Sequence, residues 1–214
     1  MHSSQTKSIR AFTRTELLVT IACLVLLAAI ILPAVAKRTA HSPRIGCLNN
    51  IKNIGLAFRV WATDNHDLFP MQVSTNDGGT KELISSESVL PHYRALSNEL
   101  STPRILLCPN DNRTDATNFI SDLTDTNISY FLNVDAVENP SDMLAGDRNL
   151  TNRPPAGSRL IPITKNSFLG WTEEMHFGKG NLVFGDGHVA QFANGSTGTI
   201  VNIPDGVTNR LAVP

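Results

Sequence analysis

Residues 17–36 read LLVTIACLVLLAAIILPAVA, so 20 residues from Leu17 to Ala36 pass without a charge. At 1.5 Å per residue a helix of that length is about 30 Å long, the thickness of a bilayer's hydrocarbon core. The stretch is expected to form one transmembrane helix over 17–36. Its polar member, Thr20, can hydrogen-bond back to its own helix. A helix that is apolar on every side would find too little cover near the start of so polar a chain. Lys7, Arg10 and Arg14 lie ahead of the run, with no acid among the first 11 residues. Basic residues before a span hold that end in the cytoplasm, so the C-terminal part is expected to be exported.

The rest of the composition narrows the class. The chain has 214 residues, 17% of them charged and 41% hydrophobic, with 18 basic against 19 acidic side chains. A net charge of -1 lacks the basic excess of a nucleic-acid binder. Three cysteines and no CxxC pair exclude a disulfide-dense mini-scaffold and a thiolate zinc finger.

Beyond the run, Cys47, Ile51, Ile54, Phe58 and Trp61 recur at steps of 4, 3, 4 and 3, an apolar stripe on one helix face. Ser42-Pro43 reads either as an N-cap with proline at the first helical position or as a kink in a longer helix. A continuous helix over 12–65 would be about 80 Å long. Residues 66–214 carry Asn/Asp/Gly/Pro clusters between short apolar runs at 105–107, 128–134, 181–184, 188–192 and 199–203. That is the layout of short antiparallel strands joined by long loops, with one short helix expected over 86–100. The expected fold class is α+β, a long N-terminal transmembrane helix packed on a small antiparallel sheet. Asn181–Phe192 reads as a hairpin turning at Asp186-Gly187, with both residues in a type I′ turn.

Ala11-Phe12-Thr13-Arg14-Thr15-Glu16-Leu17-Leu18-Val19 resembles the class III signal of type IV prepilins and type II secretion pseudopilins. The resemblance implies cleavage after Ala11 by a prepilin peptidase and methylation of the new Phe12 amine. It also implies pairing of Glu16 with that amine on a neighbouring subunit. Ala11 stands where the family usually has Gly, and Arg14-Thr15 where it usually has Leu-Ile. His176, nine residues and then Asp186-Gly187 resembles the H-X9-DG element near the C-terminus of many prepilin-like proteins. Cys47–Ala57, Leu107-Cys108-Pro109, Ile128–Phe131 and Gly146–Asn149 resemble segments of the same group.

The resemblance implies a leader (1–11), a long helix (12–65) and an exported β-rich domain (66–214). It implies a structural subunit without catalysis, assembling with other pilins or pseudopilins into a filament. Its expected place is the inner membrane in a single pass, with the domain in the periplasm and the cell surface as an address after assembly. Two other readings stand beside it. Ala34-Val35-Ala36 matches a secretory cleavage site, which would release a soluble binding protein starting at Lys37. Alternatively, His176 and Asp186, with Glu173 and His188 nearby in sequence, could hold a metal in an exported metalloprotein. No defined ligand spacing is present, and no cofactor is assigned. Asp122, Asp125 and Asn127 offer oxygens to calcium but fail EF-hand spacing. In an oxidising compartment Cys47 and Cys108 are expected to form a disulfide, while Cys23 serves as a small apolar packing residue.

Overall fold

The computed structural model describes residues 13–39, 42–152, 154–165, 167–194, 203–204 and 206–214, excepting the side chains of 30, 32–39, 42 and 43. Ala11 and Phe12 lie outside the described residues. The chain divides into two compact units, Met1–Ser42 and Pro43–Pro214.

The first unit carries helix α1 (Arg14–Thr39). Its start is a capping box that the sequence Thr13-Arg14-Thr15-Glu16 encodes. The Thr13 N–H and hydroxyl each donate to the Glu16 carboxylate at 2.9 Å, and the Glu16 N–H donates to Thr13 Oγ1 at 3.3 Å. The Thr20 hydroxyl bonds back to Leu17 O at 2.8 Å, as expected. The large apolar side chains described along α1 are all 50% exposed or more.

The transmembrane reading is corrected here: among the described residues, no helix is long and apolar enough to cross a membrane. The single-pass inner-membrane location expected from the sequence loses its support with it.

The second unit carries helix α2 (Ser42–Asp64); residues 40 and 41, between it and α1, lie outside the described residues. The stripe read from the sequence is its buried face: Cys47, Ile51, Ile54 and Phe58 are fully buried and Trp61 is 8% exposed. The helix stops where Asn65 Nδ2 takes up the Trp61 carbonyl, and His66 and Asp67 turn the chain at φ near +60°. Two short helices, α3 (Leu90–Ala95) and α4 (Ser97–Leu100), fall inside the expected 86–100 window.

A six-stranded antiparallel sheet supports α2. Its strands are β1 (Tyr130–Asn133), β2 (Met143–Asp147), β3 (Leu160–Ile163), β4 (Lys179–Phe184), β5 (Val189–Ala193) and β6 (Asn209–Ala212). The order is β3-β6-β1-β2-β4-β5. Strand pleating sends neighbouring residues to opposite faces, and each face is covered. Tyr130, Leu132 and Val183 join α2 in one core cluster, while Phe131, Leu182 and Phe184 join Trp171, Ile161 and Leu211 in the other. Three of the expected strands are found, as β1, β4 and β5. Ile105 and Leu106 instead belong to a 3-10 turn over Pro103–Leu106 that Leu107 caps, and 199–202 lie outside the described residues.

The hairpin turn also differs from the expected type I′. The loop has three residues, Gly185-Asp186-Gly187, with Gly187 N–H donating to Phe184 O and Phe184 N–H to His188 O. Within it only Gly187 is left-handed, at φ +85°, while Asp186 keeps an ordinary φ. This is a turn followed by a glycine bulge, which supplies strand twist with one special residue rather than two.

Candidate functional site

Five stretches that are distant in sequence meet where α2 crosses the sheet. Cys47 comes from the first turns of α2, Cys108 from the loop after the 3-10 turn, Tyr130 from β1, Asp147 from β2 and His176 from the loop ahead of β4. All five are 2% exposed or less. His176 Nε2 lies 3.2 Å from Cys47 Sγ, 3.4 Å from Cys108 Sγ and 3.5 Å from Asp147 Oδ2. Cys47 Sγ is also 3.4 Å from Asp147 Oδ1 and 3.3 Å from the Tyr130 hydroxyl.

The surrounding side chains hold these groups in place. Asn181 gives both its backbone N–H (2.7 Å) and its side-chain amide (2.9 Å) to Asp147 Oδ2. Gln191 donates in turn to Asn181 Oδ1 at 3.0 Å. The Cys108 N–H donates to Ser129 Oγ, whose hydroxyl donates to Asp111. Asp111 is clamped by Arg148 through two bonds of 2.8 Å. Asn149 Nδ2 donates to the carbonyls of Thr172 and Glu174, and Asn110 Nδ2 to that of Met175, which fixes the His176 loop. That loop is strained: Met175 and Phe177 on either side of His176 have φ of 62° and 54°. Side-chain-bearing residues held in this region cost on the order of 1–3 kcal/mol each and persist where the surroundings over-determine them.

Burial and mutual contact set the electrostatics. The hydrogen bond from Cys47 lowers the Cys108 thiol to about 6 against the opposing effect of burial. The same contact, together with burial, drives Cys47 far upward. The two shifts run in opposite directions, with Cys47 held as the donor and Cys108 favoured as the acceptor. Burial raises Asp147 to about 7, with the neighbouring imidazole pulling the other way. For His176, burial acts downward and is outweighed by the Cys108 contact and the Asp147 charge, so its net shift is upward.

Of the residues singled out from sequence, Cys47, Cys108 and His176 are brought together. The two cysteines are free thiols in the structure, with ligating atoms of the trio all within 4.8 Å of one another. His176 and Asp186 are not brought together. Asp186 sits in the hairpin loop, where its carboxylate accepts from the His188 backbone N–H at 3.0 Å and lies 2.5 Å from His188 Nδ1. Gly187 lies beside it in the same loop. Cys23 is exposed on α1. The calcium candidates are already engaged: Asp122 caps Thr117 and Asn118, Asp125 binds Ser88 and Arg159, and Asn127 binds Thr124 and Thr114. Sequence reasoning missed Asp147 and Tyr130 as partners of the cysteines. Both lie in Gly146–Asn149 and Ile128–Phe131, stretches it had already set apart.

No family model, no curated protein and no solved structure matches this chain.

Proposed function

We propose that the chain is a structural subunit of a pilus-like filament, of the type IV pilus or type II secretion pseudopilus kind, with no catalysis of its own. The observation that carries this reading is α1. Its large apolar side chains are exposed all round the helix, from Leu17 to Ile31, with Glu16 as the acid at its start. A helix that is apolar on one face suits one partner, whereas a helix apolar on every side needs apolar neighbours on every side. Equivalent helices of other copies supply them, as in a filament core. The class III signal resemblance supports the same reading and names two further partners, a prepilin peptidase acting at Ala11-Phe12 and the Phe12 amine of a neighbouring subunit facing Glu16.

The experiment is N-terminal sequencing and electron microscopy of the full chain expressed with a prepilin peptidase. A methylated Phe12 start and filaments support the proposal. A start at Lys37 with monodisperse particles would replace it with the secreted binding protein. The boundary between the two units, after Ser42, is the observation that keeps that second reading in view.

A further inference from the structure

His176 Nε2 has three heteroatom neighbours within 3.5 Å, namely two sulfurs and a carboxylate oxygen. One N–H can serve one acceptor well, so hydrogen bonding alone leaves this convergence unexplained. A cation between the two sulfurs and Nε2 serves all three at once. With Zn–S near 2.3 Å and Zn–N near 2.0 Å, the sulfur–nitrogen edge of a tetrahedral site is about 3.5 Å. The sulfur–nitrogen edges found here are 3.2 and 3.4 Å, and the ligating atoms of Cys47, Cys108 and His176 all lie within 4.8 Å of one another.

We propose that Cys47, Cys108 and His176 form a buried structural site for a zinc-class divalent ion, with Asp147 beside the ligands. The donor set suits that class. Two thiolates and an imidazole favour zinc over calcium or magnesium, which take oxygen ligands. The three ligands are all buried, as suits a structural rather than a catalytic site. The outer partners fit as well: the Tyr130 hydroxyl can donate to the Cys47 thiolate, and Asn181 donates twice to the Asp147 carboxylate beside the ligands. The strained backbone on both sides of His176 holds the imidazole at this point. The site ties α2 to the 108 loop and the 176 loop. It replaces the disulfide expected between the two cysteines, and it stands or falls independently of filament assembly.

The test uses the full chain with Cys23→Ser, which leaves two thiols. The protein is isolated without reductant, its thiols and metal are counted, and it is then stripped, reduced and titrated with Co2+. One metal per chain is expected at isolation. One Co2+ should give the intense visible bands of a tetrahedral site and thiolate-to-cobalt charge transfer in the near ultraviolet. Cys47→Ser and Cys108→Ser should lose the charge-transfer band in proportion to the sulfur removed. Asn181→Ala removes no ligand, only a hydrogen-bond donor to Cys47 and Asp147, and should weaken binding about 10–100-fold with the bands retained. A Cys47–Cys108 disulfide in the isolated protein would overturn the proposal. So would reduced, folded chain, checked by circular dichroism, that takes up no cobalt.

Discussion

Gly55 and Val183 hold α2 against β4 at the closest approach the two backbones allow. A Cβ on Gly55 would stand 2.4 Å from Val183 Cγ2 and 3.5 Å from the Cα of Gly187. Gly55→Ala therefore combines a helix-propensity gain of about 1 kcal/mol with a core overlap that costs about 1–3 kcal/mol. Net destabilisation is expected in urea melts. Gly55→Ala with Val183→Ala should recover part of the overlap cost, so a double-mutant cycle gives a favourable coupling. A coupling of zero would show that α2 shifts instead of clashing.

Gly187 is the one residue of the hairpin loop that needs a left-handed backbone, at φ +85°. Gly187→Val should cost more than about 1 kcal/mol, because a β-branched side chain is strained there. An added Cβ would also meet Arg59 Cδ at 3.1 Å. Asp186→Asn should cost under about 1 kcal/mol, since an amide oxygen can still accept the His188 N–H. Thermal melts of both variants give the ranking, and equal losses would argue against it.

His92 is fully buried with Nδ1 2.7 Å from Thr80 Oγ1, and burial lowers it to about 4. A histidine whose folded value is depressed contributes stability above its unfolded value near 6.5. That stability is lost as pH falls through the folded value. About 3 kcal/mol is expected to disappear between pH 6.5 and 4. Urea melts across that window should show a flatter pH slope for His92→Gln than for the native chain.

Arg148 grips Asp111 with two 2.8 Å bonds, and the Asp111 side chain is 1% exposed. Removing Asp111 leaves Arg148 partly exposed with Glu174 3.7 Å away, so the loss is that of its charged hydrogen bonds, about 1.5–3 kcal/mol. Asp111→Ala should lose stability on that scale. It should also loosen the Cys108 loop, whose N–H reaches Asp111 through Ser129. Faster amide exchange at Cys108 than at Ile54 would report the local effect.

Glu16 caps its own helix through Thr13. A glutamine serves a capping box as well as a glutamate does, so Glu16→Gln removes charge while keeping the cap. If Glu16 pairs with an amine of a neighbour, Glu16→Gln should keep the helicity of α1 and lose filament yield, scored by cross-linking. Normal yield would leave the carboxylate with its capping role alone.

The sequence is most legible where one face of an element is buried and one is wet. The α2 stripe follows the 3.6 period because its other face meets solvent, and all five predicted positions are buried. Strand β2, MLAGD, is buried at all five residues, so no alternation marks it. Gly146 is small because Phe131 and Leu182 crowd that part of the sheet. In α1 the charge pattern is plain in the sequence, but charge-free length alone does not make a span. At the site, Cys47, Cys108 and His176 announce themselves by residue type. Asp147 does not, because its partner Cys47 is 100 residues away. The spacing of His176 and Asp186 is legible as a pattern and misleading as a site, since the six residues of β4 lie between them, about 20 Å of strand.

The position of β6 has a consequence in time. Asn209–Ala212 are the last of the six strands in the chain, yet they lie between β1 and β3. Among the described residues, strand β3 pairs with β6 alone. During synthesis the ribosome therefore releases β3 with no neighbour to accept its hydrogen bonds, and it waits some 45 residues for one, a few seconds at about 5–20 residues per second. The sheet closes by a late insertion, and until then the edge of β1 is open to other nascent chains.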